Sequence, residues 1–128
     1  MSNLLDLLGR IFISSVFLFS VVNKILGFSG TQSWMEGYGV PGILLWPTIL
    51  IEIIFPILII IGYKTQISAL ILAFFSIATA LIFHLDLSNQ MQVIALLKNF
   101  GLAGGFFFLA ANGPKDWALD RGKKYVRL

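Results

Sequence analysis

Among the side chains able to carry a charge or a proton that lie inside hydrophobic runs or at their ends are Lys24, Glu52, His84 and Lys98. In a bilayer such groups are costly unless paired, protonated or wetted by a cavity, and they commonly mark substrate or proton paths. Glu52 is the most demanding. It sits in the otherwise uncharged stretch ILLWPTILIEIIFPILIIIG, ten residues past Gly42. At 1.5 Å per residue its carboxylate lies about 15 Å deep, near the middle of a ~30 Å hydrocarbon layer. Pro56 follows four residues later and cannot donate to the Glu52 carbonyl, so a freed backbone oxygen sits beside the acid. Thr48 shares the face of Glu52 and Pro56.

The elements that must position these groups follow from composition. The chain has 128 residues, 58% of them hydrophobic and 12% charged, about half the usual charged fraction. Most of it must therefore be apolar span. It has no cysteine and one histidine, which excludes thiolate chemistry, disulfide exchange and a structural zinc site, so no metal site is expected. The net charge of +3 would suggest nucleic acid in a soluble protein. Here the basic residues flank membrane spans, where retention in the cytoplasm is the simpler reading, and no nucleic-acid partner is expected.

Four hydrophobic stretches, at about 4–26, 42–62, 66–85 and 91–111, are each long enough to cross a bilayer as a helix. The expected fold is an all-α membrane protein, an antiparallel four-transmembrane-helix bundle in one domain over 1–128, with a soluble basic tail at 113–128. The first stretch lacks the small-residue cleavage site of a signal peptide and reads as a retained span. Arg10 and Lys24 fall on one stripe of it, and the simple reading of each is a cation reaching toward its nearer interface. Residues 27–41, GFSGTQSWMEGYGVP, fit either an interfacial element that partly lids the bundle or an ordinary loop. Trp34 and Tyr38 suit the headgroup level. Ala69, Ala73, Ser76, Ala80 and His84 form a small-residue stripe that invites close helix packing.

Arg10, Lys64 and the tail cations Lys115, Arg121, Lys123, Lys124 and Arg127 fall on one side of this topology, while the two opposite connections carry no Lys or Arg. By the positive-inside rule both termini of this multi-pass membrane protein are cytoplasmic. Lys24, His84, Lys98, Asn23 and Asn99 then lie in the outer half. Lys98 enters by about seven residues, or ~10 Å, and by depth is the first candidate to meet Glu52; Lys24 is the second. The cluster reads either as a polar pocket open outward or as an ion pair that holds helices together. His84 reads either as a hydrogen-bonded interface residue or as part of the chemistry.

These residues carry a resemblance to the DoxX family of bacterial four-helix membrane proteins, spread over nearly the whole chain. It rests on Gly9-Arg10, Asn23-Lys24-Ile25, Gly30-Thr31-Gln32-x-x-Met35, Gly39-Val40-Pro41, Glu52, and Gly62-Tyr63-x-Thr65. It continues through Thr79-Ala80-x-x-Phe83-His84, Lys98-Asn99, Gly104-Gly105, Gly113-Pro114 and Leu119-Asp120-Arg121. Val22 and Ala118 depart from the family's usual glycine and serine. The resemblance implies that the membrane is a bacterial inner membrane. It also implies quinone-linked oxidation or a subunit of a membrane redox complex, with quinone as the organic carrier and a redox protein as partner. Lys98 would then polarise a quinone oxygen and Glu52 or His84 would handle protons, as the catalytic set. Asn23, Lys24, Asn99, Trp34 and Thr48 would complete the binding site. The alternative is a non-enzymatic binder or transporter of a small molecule or lipid, or a scaffold for a partner complex. Oligomeric state stays open.

Overall fold

The structure, a computed structural model, describes residues 1–120; the remaining basic tail, 121–128, lies outside the described residues. Helix α1 covers Ser2–Leu26, and the short helix α2, Phe28–Gly37, follows after Gly27. A 3₁₀ turn at Gly42–Leu44 runs into α3, Leu45–Ile61. Helices α4, Thr65–Phe83, and α5, Gln90–Asn112, complete the chain. Four of these elements are long and apolar enough to span a membrane, as the sequence expects. Most of residues 27–41 form the short helix α2 and are not an ordinary loop. Its Trp34 ring stacks on Phe83 at the end of α4, with centroids 4.5 Å apart, and Tyr38 meets the same ring edge-on.

The bundle has two ends. The α2 end holds α2 and the α4–α5 connection; the terminal end holds the N-terminus, the α3–α4 turn and the segment after α5. Helix α1 packs on α3, α3 on α4, and α4 most extensively on α5, whereas α1 and α5 approach along only part of their length. Small residues make the close packing of α4 and α5: Ala69, Ala73, Ala80, Ala103 and Ala110 are all buried. Such residues let helix backbones approach where lipid supplies no hydrophobic drive. Phe17, Ile59, Leu72 and Phe106 fill the main core. A second cluster of Val21, Met35, Leu45 and Ile49 sits beneath α2. Outward-facing side chains such as Phe12, Phe19, Phe74 and Phe108 are exposed and apolar, which suits lipid contact.

The terminal end differs from expectation in two ways. Arg10 leans toward the terminal end but does not hold its charge in water; it is only 2% exposed. Its Nε donates to Asp6, its Nη1 to the carbonyls of Ile59 and Ile60 at 3.0 and 2.8 Å, and its Nη2 to the Trp117 carbonyl. The last carbonyls of α3 have no partner within their own helix, and a planar five-donor guanidinium is suited to collect several acceptors at once. The tail is also not simply soluble. Leu119 and Asp120 donate backbone hydrogen bonds to Ile61 and Gly62, and the Asp120 carboxylate accepts from Lys64 N, Thr65 N and the Thr65 hydroxyl. The start of α4, which has no side-chain cap of its own, is thereby capped from across the chain. Gly62 makes this possible. It ends α3 with φ +73°, and a side chain there would run into Ala118.

Candidate functional site

The α2 end contains a chamber of about 430 Å³. All eight site residues expected from the sequence line it: Asn23 and Lys24 from α1, Trp34 from α2, Thr48 and Glu52 from α3, His84 after α4, and Lys98 and Asn99 from α5. Helical spacing explains the gathering. Ser20, Asn23 and Lys24 share one face of α1, and Thr48 and Glu52 lie four apart on α3.

Glu52 is 3% exposed. Both its oxygens accept from Lys24 Nζ, at 2.6 and 2.7 Å, and the same ammonium donates to Ser20 Oγ at 3.1 Å. This corrects the ranking by depth, which put Lys98 first. Counting Cα positions ignores side-chain direction: each Cα–Cβ bond in a helix tilts toward that helix's N-terminus. Helix α1 enters from the terminal end, so Lys24 leans back toward the middle of the bundle. Helices α3 and α5 enter from the α2 end, so Glu52 leans up to meet Lys24 while Lys98 leans away. Packing adds to this, since α1 lies directly on α3 and α5 lies on α4.

Lys98 lines the chamber yet makes no hydrogen bond or ion pair among the described residues. Around it several other polar groups are occupied. Asn99 Nδ2 donates to Thr79 Oγ1 at 3.2 Å, His84 Nδ1 shares a 2.8 Å hydrogen bond with Gln92, and Thr48 Oγ1 donates to the Leu44 carbonyl. The chamber thus holds one neutralised pair, Lys24–Glu52, and one uncommitted cation, Lys98. Sequence reasoning missed Ser20, Thr31 and Thr79 on the wall, and Gln92 as the partner of His84. Their signal was weak, because a lone hydroxyl or amide in an apolar helix can also bond its own backbone. Among the described residues, no three His, Cys, Asp or Glu side chains cluster as a metal site would require.

The comparisons with known proteins agree with this architecture. The DoxX family model matches residues 5–85. The chain is 36% identical over 115 residues to inner membrane protein YqjF of Escherichia coli K12, covering 90% of this chain and 88% of that protein. The chain belongs to the DoxX family. A second Escherichia coli relative, inner membrane protein YphA, is 33% identical over 122 residues, with 90% and 87% covered. No solved structure matches. With four apolar helices and these relatives, this DoxX protein is a multi-pass protein of the inner membrane.

Proposed function

We propose that this DoxX protein is the quinone-handling membrane component of a redox complex, with both termini in the cytoplasm and the chamber in the outer half of the bilayer. The observation that carries the reading is Lys98, an uncommitted ammonium facing the same chamber as the Lys24–Glu52 pair. Lys98 is exposed and lines the chamber without a counter-charge, and such a cation favours a ligand oxygen with negative or partial negative charge. The chamber volume of about 430 Å³ lies within the roughly 300–1,000 Å³ of small-molecule sites.

The donor set fits a quinone head. A bound quinone would supply two-electron chemistry coupled to two protons, with a partner protein as the electron source. Lys98 Nζ orients and polarises one ring oxygen, and Asn99, the next residue of α5, lines the same chamber. The Glu52 carboxyl, held by Lys24, can accept a proton and return it in the apolar interior. His84, hydrogen-bonded to Gln92, offers a second proton-carrying ring near the α2 end. Trp34, stacked on Phe83, covers the chamber from the water side.

Equilibrium binding of a long-chain quinone to proteoliposomes tests the proposal. Lys98→Met should weaken binding by roughly tenfold or more, the worth of one charge-assisted hydrogen bond of about 1.5 kcal/mol. Lys115→Ala, at the other end of the bundle, should leave it unchanged. Absence of binding with any native partner supplied would sink the quinone reading and leave the binder, transporter or scaffold alternative.

A further inference from the structure

We infer that the chamber is loaded sideways from the bilayer, through a portal between α1 and α5, by an amphiphile whose tail stays in the lipid while its head reaches Lys98 and the Lys24–Glu52 pair. The inference deepens the proposed function by assigning its ligand a class and a route, but its test needs no quinone.

The seam between α1 and α5 is shut over its middle. The Phe17 and Phe106 rings meet with centroids 5.7 Å apart, and a methyl group added at Gly105 would come within 2.8 Å of Ile13 Cδ1. One turn nearer the α2 end, on the same face of α5, a methyl group at Gly101 would meet nothing within 4 Å. Gly101 thus lacks the contact with α1 that Gly105 makes, and the inferred portal begins at this turn. The gap opens beside chamber residues of both helices: exposed Val16 and Phe19 on α1, with Phe19 74% exposed, and exposed Lys98 with half-buried Leu102 on α5. The rim is therefore apolar apart from the Lys98 ammonium and the exposed Asn23 amide, one turn beyond Phe19 on α1.

The water-facing end is built the opposite way. Helix α2 crosses from the end of α1 to the end of α4, where Trp34 and Tyr38 both pack on Phe83. Beneath it Met35 is buried with Val21, Leu45 and Ile49, and Gln32 Nε2 donates to the Gly42 carbonyl at 3.1 Å, tying α2 to the start of the α3 span. A covered aqueous end and an open lipid-facing seam select for molecules already dissolved in the membrane. A long lysine at the rim can lay its methylenes along lipid and hold its charge at the opening, placing it first to meet an acidic or carbonyl head.

The chain has no native cysteine, so one introduced thiol reports on the chamber alone. Thr79→Cys puts it on the inner wall. In vesicles of phosphatidylethanolamine and phosphatidylglycerol, pyrene maleimide is delivered through the lipid and a charged sulfonate thiol reagent through the water on both sides. Sideways loading expects labelling by the pyrene reagent and little by the charged one. Adding Gly101→Trp should slow the pyrene reaction roughly tenfold, a barrier about 1.4 kcal/mol higher, and the smaller Gly101→Leu should slow it less. Leu81→Trp, on a lipid-facing position of α4 away from the seam, should not change it. Labelling by the charged reagent at a rate indifferent to Gly101→Trp would place the entrance under α2 and overturn the portal. So would failure of both reagents in vesicles whose protein keeps its wild-type unfolding temperature. Either failure would leave the quinone reading to its own binding test.

Discussion

Glu52 shows what a single residue imposes on a membrane chain. A carboxylate in the second span could be located from sequence alone, and so could the small set of side chains able to answer it. Which lysine answers could not, because the outcome turns on the tilt of each side chain toward its helix N-terminus and on which helices are neighbours. The pair can be tested by a double-mutant cycle on thermal unfolding in detergent. Glu52→Gln and Lys24→Met should each destabilise by ~3–5 kcal/mol, the cost of stranding a buried charge, while the double variant should lose much less than their sum. Lys98→Met, with no partner to strand, should change stability by less than ~1 kcal/mol. Strict additivity between positions 24 and 52, or coupling between 52 and 98, would contradict the pairing. Arg10 teaches the same lesson from the other end. Its place on the α1 stripe was readable, and so by spacing was its i, i+4 pairing with Asp6, but its other acceptors are carbonyls of α3 and of the tail that no periodicity marks.

At the scale of elements, the spans were legible because about twenty apolar residues in a row leave few alternatives. Helix α2 was less so: its glycines and aromatics fit a loop as well as a helix, and only its contacts with Phe83 and Gly42 decide. The Asp120 cap on α4 was beyond sequence reading. The acid lies 55 positions from Thr65, and nothing local links them. Asp120→Ala should remove three hydrogen bonds from the start of α4 and cost about 1–2 kcal/mol, as loss of a strong helix cap does. Hydrogen exchange should then accelerate first at Ser68 and the residues around it, where α4 begins. Uniform acceleration across all four spans would mean that the tail clamps the whole bundle and not the α3–α4 turn. Gly62→Ala should be worse than its size suggests, by at least about 1 kcal/mol, since it meets both a positive φ and the Ala118 backbone.

For the whole molecule, two polar regions sit at opposite ends of one apolar bundle and do different work. At the terminal end Arg10 and Asp120 spend most of their hydrogen-bonding capacity on backbone groups that lipid cannot satisfy. The α2 end is not saturated, because Lys98 remains uncommitted beside an internal pair. The proposed orientation puts that end on the outer side. A reporter active only in the cytoplasm should work when fused after Leu128, and activity of a periplasm-dependent reporter there would invert the chamber. The most direct test of the chamber's role is to ask what it carries out of the membrane. Protein purified in mild detergent should yield, on organic extraction and mass spectrometry, a quinone at a near-fixed ratio to wild-type protein. The same preparation of Lys98→Met should have lost most of that quinone while keeping its phospholipid. A quinone content no higher than in an unrelated membrane protein purified alongside, or equal in wild type and Lys98→Met, would contradict a quinone site at Lys98.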